Sequence, residues 1–103
     1  MKVAYRNYSR GARGWGNKKP RRVSERQAVM DKCGADCFMR PEYMGFPVCQ
    51  KLNTSGQCTV DCRGLLAAKV RGAQWKYPDV VKKADARARS LRCRWTRRQS
   101  QRR

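Results

Sequence analysis

Six cysteines in 103 residues constrain this chain more than any other feature. Four of them repeat one spacing, Cys33-x3-Cys37 and Cys58-x3-Cys62, while Cys49 and Cys93 stand alone. On a helix, residues four apart project to the same side, one turn from each other. Two such pairs on antiparallel segments would face each other as rungs of a ladder. That arrangement favours Cys33 with Cys62 and Cys37 with Cys58, and leaves Cys49 to tie a central loop to Cys93. Many other pairings exist for six cysteines, so spacing sets a preference among them. Two other states compete. Cys33, Cys37, Cys58 and Cys62 could hold a structural zinc ion, although zinc knuckles prefer a two-residue spacer. All six could also be buried free thiols acting as small hydrophobes. Disulfides are the preferred reading, because a domain this small is marginal without staples.

The charge pattern says which part can fold. Residues 1–22 carry eight basic side chains and no acidic one; residues 23–77 carry eight basic and five acidic; residues 78–103 carry ten basic against Asp79 and Asp85. The net charge is +19 and there is no histidine. A nearly balanced middle between two cationic ends is suited to something large and anionic. Nucleic acid, an anionic membrane face and acidic protein patches all qualify. Enzymatic chemistry is not expected: histidine, paired carboxylates, a phosphate-cradling loop and a nucleophile–base set are all missing. No catalytic residue and no cofactor is assigned. The N-terminal segment lacks the apolar stretch of a secretory signal. Paired cysteines without a secretory route ordinarily suggest metal.

Local signals place three helices. Ser24-Glu25-Arg26-Gln27 reads as a capping box opening a helix over 25–33, which Gly34 ends. Asp61 caps a second helix running to about Lys76, with Leu66, Val70, Ala73 and Tyr77 as its apolar stripe. Pro78 and Asp79 open a third, whose buried face is Val80, Val81, Ala84, Ala88, Leu91 and Trp95. Residues 38–57 read as an irregular packed loop. Phe38, Tyr43, Met44, Phe46 and Trp75 either fill the core or form a docking patch on the surface, since aromatics and methionine are enriched at interfaces. The expected fold is small and all-α: a disulfide-stapled helical core, residues 23–95, with an extended basic arm, 1–22, and a basic tail, 96–103. The arm residues assigned to partner binding are Tyr5, Arg6, Tyr8, Arg10, Arg13, Trp15, Lys18, Lys19, Arg21 and Arg22. Glycines and Pro20 break any helix there, and aromatics alternate with arginines.

The motifs Cys33-Gly34-x-x-Cys37-Phe38 and Phe46-Pro47-x-Cys49 carry a resemblance. So do Cys62-x-Gly64, Ala67-Ala68-x-x-Arg71-x-x-Gln74 and Tyr77-x-x-Val80-x-x-Lys83-Ala84. Residues 24–91 resemble small basic cysteine-containing virion proteins of large nucleocytoplasmic DNA viruses of the algal type. The resemblance implies a minor capsid protein under the major capsid shell, with major and other minor capsid proteins as partners. It also implies disulfides without a secretory route, because such viruses encode their own thiol oxidase. The alternative is a non-specific nucleic-acid-binding packaging protein, with arm cations on phosphates and aromatics stacked on bases. Weak contact with nucleic acid or an anionic membrane is expected in either case. A small-molecule substrate is not.

Overall fold

The computed structural model describes residues 4–6, 14–52 and 56–96. The elements in chain order are β1 (Ala4–Arg6), α1 (Trp15–Lys18), α2 (Val23–Cys33), β2 (Phe38–Arg40), β3 (Gly45–Pro47), β4 (Thr59–Asp61), α3 (Cys62–Gln74) and α4 (Pro78–Ser90). Short 3-10 turns at Ala35–Cys37 and Pro41–Tyr43 flank β2. The fold is therefore mixed α/β, and the all-α expectation is corrected.

The strands arise where an irregular loop was expected. β2 and β3 form an antiparallel hairpin, with Phe38 opposite Pro47 and Arg40 opposite Gly45. β1 and β4 run parallel, Ala4 opposite Thr59 through Arg6 opposite Asp61. Residues 48–50 add antiparallel bonds to β4: Gln50 N–H to Thr59 O at 2.8 Å and Asp61 N–H to Val48 O at 2.9 Å. All three residues of β4 are buried. Three-residue strands are too short to show an alternating pattern, so the hydrophobic period could not reveal them.

Helix termini follow local chemistry. α2 begins at Val23, two residues before the expected start. Glu25, not Gln27, reaches back, accepting from the N–H groups of Arg21 and Arg22 at 2.9 and 3.0 Å. Gly34 stops the helix as expected, in a backbone conformation with φ 87° that favours glycine. Asp61 caps α3, its carboxylate accepting from Arg63 N–H at 2.8 Å. Pro78 opens α4. That helix is shorter than expected: it ends at Ser90, Arg92 takes φ 57°, and a separate helical turn follows at 94–96.

The helical phase of α3 differs from expectation. Its buried residues include Leu65, Ala68 and Gly72, while Val70 is 47% exposed and Ala73 is also exposed. The reason is packing. α4 approaches α3 at Gly72, where an added methyl would lie 2.9 Å from Val80 Cγ1. Close approach is favoured over burial of one more valine. α4 buries Val80, Ala84 and Ala88, while Val81 and Leu91 are only partly buried. Trp95 is buried through the later turn, its indole N–H donating to Cys62 O at 2.9 Å.

The three disulfides are Cys33–Cys58, Cys37–Cys49 and Cys62–Cys93. The ladder pairing is thus corrected in all three bonds. It required both x3 pairs to sit on continuous helix. Instead Gly34 breaks the chain between Cys33 and Cys37, and a strand separates Cys58 from Cys62. Cys37–Cys49 closes the base of the β2–β3 hairpin. Cys33–Cys58 ties the end of α2 to the approach to β4. Cys62–Cys93 joins the start of α3 to the turn after α4.

Candidate functional site

Several aromatic and cationic side chains meet in a cleft between the β2–β3 hairpin and α3. Its volume is ≈ 170 Å³. Trp15 forms the floor and is 5% exposed. It reaches that depth because position 64 is glycine: a methyl there would come 2.7 Å from Trp15 Cζ2 and 3.0 Å from Val48 Cα. Phe46 stands on one wall, in edge-to-face contact with Trp75 at 6.2 Å and with Tyr77 at 5.9 Å. Tyr43, 54% exposed, lays its ring against Gly45; Trp75, 58% exposed, stands at the mouth.

Three cations line the same cleft: Lys19, Arg26 and Arg71. Arg26 is structural as well, since Nε donates to Pro20 O at 3.1 Å and Nη1 to Met44 O at 3.0 Å. It thereby pins α2, the Pro20 segment and the hairpin into one wall. Partial burial, then repulsion from Arg71, Arg26 and Arg21, holds the Lys19 ammonium below the usual lysine range. The fold has concentrated positive charge here against its own electrostatic preference.

Six of the seven acids do not relieve this charge, because they are engaged elsewhere. Asp61, fully buried, takes Arg63 Nε and Nη2 at 3.0 and 2.8 Å and Gln50 Nε2 at 2.9 Å. Asp79 pairs with Arg40 at 2.9 Å, and Glu42 lies 3.7 Å from the same guanidinium. Asp85 pairs with Lys69 at 2.9 Å and Arg89 at 2.8 Å, and these two hydrogen bonds hold its carboxyl below the usual range. Backbone N–H groups of Arg22 and Arg21 do the same for Glu25. Asp31 accepts from Gln27 at 2.8 Å.

The residues assigned from sequence separate into groups. All six cysteines are in disulfides, including the four considered as zinc ligands. Among the described residues, no cluster of three or more His, Cys, Asp or Glu could hold a metal ion. Of the arm residues, Trp15 and Lys19 line the cleft, Lys18 is half-buried beside it in sequence, and Arg21 and Arg22 are exposed at the start of α2. Tyr5 and Arg6 belong to β1, so this part of the arm pairs with the core. Tyr8, Arg10 and Arg13 lie outside the described residues. Of the candidate patch aromatics, Phe38 went to the core, whereas Tyr43, Phe46 and Trp75 went to the cleft. Sequence reasoning missed Arg26 and Arg71. A signal for Arg71 existed: Ala67, Arg71 and Trp75 recur every fourth residue, a stripe of small, cationic and aromatic side chains down one face of α3.

Comparison with known proteins adds no relationship: no family model, no curated protein and no solved structure matches this chain. Among the described residues, no helix is long and apolar enough to cross a membrane.

Proposed function

We propose that this chain is a minor capsid protein that cements larger capsid proteins on the inner side of a large icosahedral DNA-virus shell, with no catalytic role. The observation that carries the reading is the cleft: an aromatic slot rimmed by cations, on a core held by three disulfides. Six of the seven acidic side chains have partners within the molecule, so the surplus positive charge is left for outside partners. The shape of the slot favours protein over nucleic acid. Bases stack on open aromatic faces, whereas Phe46 and Trp75 meet at 71° and share no stacking plane. A slot takes a side chain, and aromatic pockets that a partner desolvates on binding are where protein interfaces concentrate their binding energy. The resemblance of residues 24–91 to virion proteins supplies the setting.

The test is fractionation of disrupted particles at moderate salt, which weakens contacts made through charge alone. Recovery with the major capsid shell is the expected result. Quantitative release with the genome would replace this reading with the nucleic-acid-packaging one.

A further inference from the structure

Resting on the docking role above, we infer that the cleft recognises an acidic protein segment carrying one aromatic or branched apolar side chain, which enters the cleft beside the Phe46–Trp75 pair while flanking carboxylates meet Lys19 and Arg71. Size and charge lead to the same occupant. A cavity on the order of 150 Å³ accommodates a benzene ring, and this one is ≈ 170 Å³. Its lining includes the exposed rings of Tyr43 and Trp75, apolar surfaces that gain from excluding water. The charged side chains of the lining are all cationic, and those of Lys19 and Arg71 have no hydrogen-bond or ion-pair partner among the described residues. Carboxylates placed there would relieve the mutual repulsion that the fold imposes. They would do so with charge-assisted hydrogen bonds, the strong kind.

The residues of this sequence outside the described structure cannot supply this segment. Residues 1–3, 7–13, 53–55 and 97–103 contain no acidic side chain. A second copy is disfavoured as well, since each carries +19 and six of its seven acids are internally engaged. The occupant therefore comes from a different, acidic protein.

The experiment uses fluorescence anisotropy with the full, oxidised chain at physiological ionic strength. The probe is a labelled peptide of alternating aspartate and glutamate around a single phenylalanine. The control peptide has glycine in place of the phenylalanine. The phenylalanine peptide is expected to bind about tenfold more tightly, the scale of one well-buried anchor. Arg71→Glu, Lys19→Met and Trp75→Ala should each weaken it by roughly tenfold, because each removes part of one desolvated pocket. Lys82→Glu, an exposed charge reversal on α4, should change binding by less than about threefold, as expected for a remote screened charge. All four side chains are exposed or half-buried, so the variants should fold, and intact disulfides by mass would verify it. Equal binding of the two peptides would overturn the inference. So would a Lys82→Glu loss as large as that of Arg71→Glu, which would mark diffuse charge attraction. Competition by oligothymidylate that depends equally on Trp75 and Arg71 would assign the cleft to single-stranded nucleic acid and overturn it too. The two readings fail separately: shell recovery with an indifferent cleft sinks only this inference, whereas genome recovery with selective peptide binding sinks only the capsid role.

Discussion

Two individual residues decide whether the cleft exists. Trp15 can form its floor only while position 64 has no side chain. Gly64 sits inside α3, where glycine costs up to about 1 kcal/mol relative to alanine. A methyl there would strike the Trp15 ring and, at 3.0 Å, the backbone of Val48. A ring can tilt, but a Cα in a disulfide-tied segment cannot retreat cheaply. Overpacking of this kind costs about 1–3 kcal/mol, which exceeds the propensity gain. Gly64→Ala is therefore expected to lower stability by about 1–2 kcal/mol in chemical denaturation. It should also shift Trp15 fluorescence toward a wetter emission. A stabilised variant with unchanged emission would show that Trp15 does not occupy this depth.

Among the elements, α3 and α4 are bound by a seam that responds to pH. Gly72 and Val80 bring the helices close, and Lys69, Asp85 and Arg89 bridge them at the surface. Hydrogen bonds from Lys69 and then Arg89 hold the folded-state pKa of Asp85 below its ordinary value of 3.8. The unfolded chain thus binds a proton at Asp85 more readily than the folded one. The contribution is fully present above the ordinary carboxylate range and is lost as pH falls through the depressed folded value. Asp85→Asn should reduce stability at neutral pH. It should also flatten the acid limb of a plot of unfolding free energy against pH. An acid limb as steep in the variant as in the parent would mean that other carboxylates govern it. The same seam places the hairpin: Arg40 reaches Asp79 on α4, and Lys83 Nζ donates to Met39 O at 3.0 Å.

At the scale of the whole molecule, the disulfides divide the work. Cys37–Cys49 lies inside the loop closed by Cys33–Cys58, and together they hold the hairpin and β4 to α2. Cys62–Cys93 is the one disulfide on the helical pair. The sequence separations are 12, 25 and 31. Loop-closure entropy makes each bond worth about 3–4 kcal/mol, together comparable with the total stability of a small domain, about 5–15 kcal/mol. Full reduction should therefore unfold the protein at physiological temperature, seen as loss of near-ultraviolet dichroism. Native protein should show the mass deficit of three bridges. A cooperative fold that survives reduction would mean the apolar core suffices.

Much of the local structure was legible in the sequence because it is encoded within a few residues. Gly34, Asp61 and Pro78 mark helix ends through groups no more than four positions away, and each helix boundary they set is found. The need for staples was also legible, since it follows from size and apolar content. Longer-range features were not. Cysteine pairing depends on which segments meet, and one glycine between Cys33 and Cys37 was enough to undo the ladder. The strands owe their existence to partners far along the chain, as β1 and β4 do. The face that α3 buries was set by how closely α4 could approach at Gly72, and this turned Val70 outward. Charge, caps and the requirement for cross-links were fixed by the sequence alone. Tertiary structure alone brought Trp15, Lys19, Phe46, Arg71 and Trp75 into one cleft, because packing minimises free energy over the whole molecule while sequence patterns report only on neighbours.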